Sequence, residues 1–586
     1  NHQTFSGSAA AGVAMPASVS PAAASGETQV RQRRSSTPPR CRSEVASKEV
    51  AAGVVEKSAA GVASASDIRR PVAAAALIGL VALRAAVGTA GYSGRGTPPA
   101  YEGAPWGGDY EAQRHWMELT VHLPVGQWYW YDLDYWGLDY PPLTAYVSWA
   151  CGVLSSAWEP ASMALVSSRG YETASHKAFM RATVLALDVA VYFSAVWVLS
   201  ARLAGLAPSA GKGRGRRLWI LALALGQPAL VLIDHGHFQY NAVSLGFSLW
   251  AFHFLTVSQS ASDGSILRWS DAAGSVFFCL SLNFKQMSLY HAPAVFFLLL
   301  GRCFSTGRFL KALASVACLG LVVVGTFVAL WWPFCVYATP GTGCTAGLLQ
   351  VLKRLFPFNR GLFEDKVANL WLVLSLKPLS IRSRIPASLQ APVALLLTLA
   401  LLVAPCCRLF RAGLHGASTQ GTLRPLLWGA GATSLAFFLA SFQVHEKSLL
   451  LALAPLSLLQ ADAPWLIAWV SIFGTWTMYP LLAKDDLSVP YAATLVLFAV
   501  LSATFLCLHR RGNGIGPELG SHRVVRLFGT LLVVPLSLLA MGGLHAAAAT
   551  LSPPSSMPDL WPTLWAAVGC GVLLFLYLTV VVREWE

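Results

Sequence analysis

Residues 308–333 read RFLKALASVACLGLVVVGTFVALWWP, and this run decides the class of fold. After Arg308 and Lys311, no Asp, Glu, Lys, Arg or His interrupts it as far as Pro333. An apolar helix of about 20 residues crosses the hydrocarbon core of a bilayer. Helices survive there because every backbone N–H and C=O is satisfied within the segment. Similar runs recur on both sides, at 72–92, 181–204, 218–233, 240–258, 272–284, 288–301, 389–406, 425–443, 447–460, 463–483, 490–508, 524–546 and 560–582. With the first run they make about 14 candidate spans, several of them short enough to be broken or tilted. Composition agrees. Of the 586 residues, 55% are hydrophobic and 12% charged, and mean hydropathy is +0.54. Soluble chains carry about a quarter charged residues. The expected fold is an all-α polytopic membrane protein.

Charge sets the expected orientation. The net charge of +14 suits basic loops beside anionic headgroups, and no nucleic-acid motif accompanies it. Residues 1–70 are rich in Ala, Ser, Pro and Arg and predict a disordered cytosolic tail. The first apolar run follows Arg69 and Arg70 and reads as a signal anchor. Alternation then gathers Lys212, Arg214, Arg216, Arg217, Arg302, Arg308, Lys311, Arg408, Arg411, Arg510, Arg511 and Arg523 in the cytosol. That agreement requires 143–158 and 369–380 not to cross, so both are expected to lie along the lumenal surface. The lumenal segments are then 93–180, the Asp234–Asn241 turn, the turn at Lys285, 334–388, and the turn of His445, Glu446 and Lys447. Each ionisable group there reads singly as an interfacial cation or anion. Five such clusters on one side read as a site. The 11 cysteines show no CxxC or Cys/His ligand spacing; Cys335 and Cys344 share a lumenal loop and could pair.

The densest polar stretch is GDYEAQRHWMELTVHLPVGQWYWYDLDYWGLDYPP, residues 108–142. Ala112, Trp116, Leu119 and Leu123 fall on one helical face, with Arg114, Glu118 and His122 on another. This predicts an amphipathic helix resting at the interface. Trp128, Tyr129, Trp130, Tyr131, Tyr135 and Trp136 follow, suited to anchoring at headgroups or to stacking on sugar faces. Asp109 reads either as an N-cap or as a general base that deprotonates an acceptor hydroxyl. When a phosphate leaves, cations can neutralise it in place of a general acid. Asp132 and Asp134 invite a DxD metal reading, but no Gly-rich phosphate loop or βαβ pattern accompanies them. A structural or acceptor-binding role is expected instead, with no metal and no cofactor.

GDYEAQRHWMELT, WYWYDLDYWGLDYPPLTAY, IDHGHFQYNAVSLGF, LNFKQMSLYHAP, RLFPFNRGLFEDKVANLW and SFQVHEKSLL together resemble the endoplasmic-reticulum alpha-1,3-glucosyltransferases that use dolichyl-phosphate glucose. The likeness runs from about residue 70 to 483 and is looser over the last 100 residues. GDYEAQRHW is closer to the branch adding the first glucose than to the second-glucose branch, whose motif is of a TDFEVHRNW type. The resemblance implies a GT-C membrane fold, with a catalytic module over 71–388 and further helices over 389–586. It implies an endoplasmic-reticulum protein with a lumenal site, and inverting transfer of glucose from the lipid-linked donor to a mannose of the dolichyl-pyrophosphate oligosaccharide. It also implies that Asp109 is the base.

Substrate-binding candidates are Glu111, Arg114, His115, Trp136, Asp139, His235, His237 and Gln239. Lys285, Arg360, Lys366, His445 and Lys447 are candidates for the donor phosphate, and Glu364, Asp365 and Glu446 for sugar hydroxyls or for pairing with those cations. Each cation reads equally as a membrane-surface charge. A transporter or scramblase fits the span count but predicts repeated halves, and none is visible. A silent assembly subunit is the third reading; retention of Asp109 argues against it.

Overall fold

The computed structural model describes residues 70–95, 107–206, 213–257, 266–305, 307–338, 341, 343–356, 367–415, 419–513 and 529–584. The N-terminal tail therefore lies outside the described residues, as do Arg360, Glu364, Asp365 and Lys366.

Within the described residues, each apolar run of the sequence has its central part in helix. The chain opens with α1 (Arg70–Val87), α2 (Asp109–His122) and α3 (Pro142–Trp158). Next comes the long α4 (Ala174–Gly205), which carries a π-turn at Asp188–Phe193. α5 (Gly213–Leu225) and α6 (Pro228–Phe238) form a bent pair, kinked by 44°. The break falls where Pro228 cannot continue the helix, and the Gln227 side chain caps the new one at Leu230 N–H. α7 (Asn241–Leu255), α8 (Trp269–Phe284), α9 (Gln286–Phe304), α10 (Phe309–Val336) and α11 (Gly343–Leu355) complete the first part. The rest comprises α12 (Leu370–Ser375), α13 (Ala387–Leu414), α14 (Leu423–Ala440), α15 (Leu450–Ser457), α16 (Pro464–Thr477), α17 (Tyr479–Lys484), α18 (Ser488–Asn513), α19 (Val534–Thr550) and α20 (Leu560–Glu584).

Among the described residues, seven helices are long and apolar enough to cross a membrane, namely α4, α9, α10, α13, α14, α18 and α20, and the bent α5–α6 pair would make an eighth. The chain is a multi-pass membrane protein. α10 shows the lipid-facing pattern, with Leu310, Leu313, Leu321, Val324, Val328 and Trp332 all exposed on a helix that carries no charged residue beyond Lys311. α14 is the opposite case. It is buried on nearly every side, from Leu423 to Ala440, as befits a helix in the middle of a bundle. α9 and α13 cross closely because both offer glycine: a Cβ on Gly301 would sit 2.1 Å from the Phe410 carbonyl, and one on Gly413 2.3 Å from that of Leu298.

The helix expected to rest at the interface is placed differently. All of α2 from Tyr110 to Thr120 is buried, including its charged face. The cause is an internal network. Arg114 donates to Glu111 (2.7 and 2.8 Å), to Glu118 (2.8 Å), to Ser168 Oγ (2.7 Å) and to the Ser162 carbonyl (2.9 Å). Charges so paired no longer need water. α3, by contrast, buries Thr144, Ser148, Cys151 and Ser155 while Trp149, Val153, Leu154 and Trp158 stand exposed on the other side. Cys335 and Cys344 are disulfide-bonded and tie the end of α10 to the start of α11. From α11, Gln350 and Arg354 donate to the carbonyls of Tyr129, Gly137 and Leu138, clamping the aromatic loop.

Candidate active site

Asp109 is the first residue of α2, and the N-cap position belongs to Gly108, which makes no side-chain cap. The N-cap role is therefore not the one Asp109 plays. Its carboxylate turns away from the helix end, while its own N–H donates to Ser93 Oγ at 3.1 Å. Ser93 N–H in turn donates to the His237 carbonyl at 3.0 Å, fastening α2 to the end of α6.

Side chains from distant turns converge on that carboxylate. Lys447 Nζ donates to Oδ2, Gln239 Nε2 donates to it at 2.5 Å, and His237 Nε2 lies 2.8 Å from it. Among the described residues, all three meet on Oδ2. The Asp109 side chain keeps 26% exposure, and none of these three groups occupies Oδ1. Burial alone would raise the Asp109 pKa, but the Lys447 ammonium and His237 outweigh it and hold the carboxyl well below its ordinary range. The group is a carboxylate at any physiological pH.

A second cation stands behind this cluster. Lys285, in the turn between α8 and α9, donates to Asn241 Oδ1 at 2.6 Å and to Gln239 Oε1 at 3.2 Å, and lies 4.9 Å from the centre of the Tyr140 ring. Burial, followed by repulsion from Lys447, pushes the Lys285 pKa down to about 8. Both lysines line one small hollow with Asn241, Ser244 and Ser448. Asn241 itself is fixed by Asp234, which accepts from Asn241 Nδ2 at 2.7 Å and from Ala242 N–H at 2.6 Å.

The remaining sequence candidates are placed elsewhere. Glu111, Arg114 and His115 belong to the buried network of α2, where Glu111 also accepts from Tyr135 OH (2.7 Å) and Gly170 N–H (3.1 Å), and His115 faces Glu118 at 3.1 Å. Their polar groups serve the loop, not the Asp109 cluster. His235 faces Asp188 at 2.9 Å, beside the Arg84–Asp188 pair at 2.6 Å. Trp136 has a positive φ of 45°, and its carbonyl accepts from Trp116 Nε1. The Asp139 carbonyl accepts from Gln286 at 3.3 Å, close to the Lys285 turn. His445 and Glu446 form a partly exposed pair at 2.8 Å; burial raises the Glu446 pKa, but His445 more than reverses this and brings it to about 2. Asp132 pairs with Arg169, which occupies it as a structural anchor of the aromatic loop. One partner escaped the sequence reading. Asp485, in the α17–α18 turn, lies 2.5 Å from His237 Nδ1 through its Oδ2. Its signal is modest: the acidic pair of LLAKDDLS between two apolar helices.

Helices long and apolar enough to cross a membrane, with carboxylate, imidazole and ammonium groups meeting at their ends, define a multi-pass membrane protein with a polar cluster around Asp109. A profile of the ALG6, ALG8 glycosyltransferase family matches residues 80–580. The dolichyl pyrophosphate Man9GlcNAc2 alpha-1,3-glucosyltransferase of Mus musculus is 39% identical over 536 residues, covering 88% of this chain and 97% of the relative. That of Gallus gallus is 39% identical over 516 residues (85% and 94%), and that of Saccharomyces cerevisiae 37% over 518 (83% and 87%). The chain belongs to the ALG6, ALG8 glycosyltransferase family, as its motifs suggested.

Proposed function

We propose that this chain transfers glucose from dolichyl-phosphate glucose, with inversion, to the terminal mannose of dolichyl-pyrophosphate-linked Man9GlcNAc2, forming an alpha-1,3 bond. Relatives named for activity on that acceptor cover most of the chain. The observation that carries the chemistry is the Asp109 carboxylate, with one oxygen held by Lys447, Gln239 and His237 and the other open. The open oxygen takes the proton of the acceptor hydroxyl as that oxygen attacks the anomeric carbon. The C1–O bond to phosphate breaks, and its electron pair leaves with the phosphate. Lys447 and Lys285 neutralise the charge that develops there.

The reading extends to the fold. It adopts the GT-C arrangement of about 14 spans, in which the shorter helices α1, α7, α8, α15, α16 and α19 cross together with the seven long ones and the bent pair. The site faces the lumen of the endoplasmic reticulum and the N-terminus faces the cytosol, following the basic loops. An apolar cavity of about 340 Å³ between α8, α9 and α10 supports a lipid-borne donor. Leu282 and Ala292, on either side of Lys285 in sequence, both line it. An isoprenoid tail there would leave its phosphate beside Lys285.

The deciding assay offers the unglucosylated and monoglucosylated lipid-linked acceptors side by side, with dolichyl-phosphate glucose as donor. Transfer to the unglucosylated acceptor alone is expected. Exclusive use of the monoglucosylated acceptor would make the chain the second-glucose enzyme, and no transfer to either would refute the reading.

A further inference from the structure

His237 stands between two carboxylates. Its Nε2 lies 2.8 Å from Asp109 Oδ2 and its Nδ1 2.5 Å from Asp485 Oδ2, with the ring 3% and the Asp485 side chain 7% exposed. The turn that carries Asp485 is pressed against the end of α1. A Cβ on Gly91 would sit 2.0 Å from the Asp485 carbonyl, and one on Gly236 would meet the Leu487 side chain at 2.9 Å. Asp485 is thus fixed in place by close packing from the same chain segments that carry Ser93 and His237.

We infer that Asp485 is a positioning residue of the transfer reaction, holding the His237 ring so that its Nε2–H stays on Asp109 Oδ2. This rests on the reading of Asp109 as the base. The buried carboxylate at Nδ1 accepts one N–H of the ring, and Asp109 Oδ2 accepts the other. A ring that donates from both nitrogens is an imidazolium, and Asp485 supplies the second carboxylate that balances it beside the Lys447 ammonium, 3.0 Å from Nε2. His237 thereby keeps Oδ2 occupied and leaves Oδ1 for the acceptor. The hydroxyl proton passes to Oδ1 as the acceptor oxygen bonds C1 and the phosphate departs with the C1–O electron pair, and it leaves Asp109 for water or the departing phosphate before the next turnover. The charged groups that face the imidazole are Asp109 from α2, Asp485 from the α17–α18 turn and Lys447 from the turn before α15. Arg181 of α4 lies close by, donating to the carbonyls of His235 and Gly236.

The test uses the full chain, purified in lipid nanodiscs, with dolichyl-phosphate glucose and the unglucosylated acceptor. Kinetic constants are taken on monodisperse protein for Asp485→Asn, Asp485→Glu, His237→Gln and the Asp485→Asn/His237→Gln double variant. Asp485→Asn is expected to lower kcat by about 10- to 100-fold with both KM values within about twofold. It should also move the acid limb of the kcat profile to higher pH, because the imidazolium that holds Asp109 as an anion loses its partner. Asp485→Glu keeps the charge and should recover most of the loss. The double variant should be no slower than His237→Gln alone, since the two residues act as one unit. Wild-type kcat with an unmoved acid limb in Asp485→Asn, or losses that multiply in the double variant, would overturn this role. Asp109→Asn is run in parallel: if that variant is fully active the base reading itself fails, whereas an inactive Asp109→Asn beside an unaffected Asp485→Asn removes the positioning role of Asp485 alone.

Discussion

Two acid–base clusters lie within a few residues of each other on α2, and they behave in opposite ways. Around Arg114, the charges are closed in: Glu111, Glu118, Ser168 and the Ser162 carbonyl take all three guanidinium nitrogens, Tyr135 adds a bond to Glu111, and Arg114 and Glu118 are wholly buried. Around Asp109 the donors crowd one oxygen and leave a quarter of the side chain exposed. The first arrangement holds a loop. The second holds a carboxylate ready for something that is not part of the protein. Charge clustering alone does not separate them; what separates them is whether the cluster is saturated by its own chain.

That contrast can be broken by substitution. Asp109→Asn should cost about 10³-fold or more in kcat while the protein remains folded and membrane-inserted, measured by donor-dependent transfer and by size-exclusion behaviour. Arg114→Met should do the reverse, destabilising the protein by about 3–5 kcal/mol because two buried carboxylates lose their cation, read as a drop in thermal unfolding temperature. If Arg114→Met folds normally and only loses activity, the saturated network is a site after all. Lys285→Met should lower kcat/KM for dolichyl-phosphate glucose by about 10- to 100-fold and leave the acceptor KM unchanged, in steady-state kinetics with each substrate varied in turn.

The smallest effect is a pH dependence of stability. Burial raises the Glu118 pKa, but His115 and Arg114 outweigh it and bring it from 4.5 down to about 2. A group lowered on folding contributes stability above its unfolded value and loses it as pH falls through the folded one. Wild-type thermal stability should therefore fall between about pH 4.5 and pH 2, and Glu118→Gln should lack that part of the slope. An identical slope in both proteins would show that Glu118 is not held by the network.

The helices were legible because a membrane span is a local property: residues 308–333 announce themselves without reference to anything else in the chain. The turns at Gln239, Lys285 and Lys447 were legible as polar interruptions between such runs, and the structure brings all three together at or behind Asp109. What escaped was non-local. Asp485 looks like any acidic turn until His237 is placed beside it. Glu111, Arg114 and His115 looked like ligands for a sugar because helical periodicity shows which residues share a face and not what covers that face. The same ambiguity put α2 at an interface when it is packed inside. Of the two readings of Asp109, N-cap and general base, the N-cap one does not fit, because the helix begins at Asp109 itself and Gly108 holds the cap position.

The position of Lys447 in the chain has a consequence for biosynthesis. Asp109 is made early, but the lysine that holds it follows α14 in the chain, and the carboxylate behind His237 comes later still, after α17. A nascent polypeptide halted anywhere before those turns has Asp109 without these partners. The cluster is thus assembled only after the turn before α18 has left the ribosome, and a product ending short of it lacks the groups that hold the carboxylate.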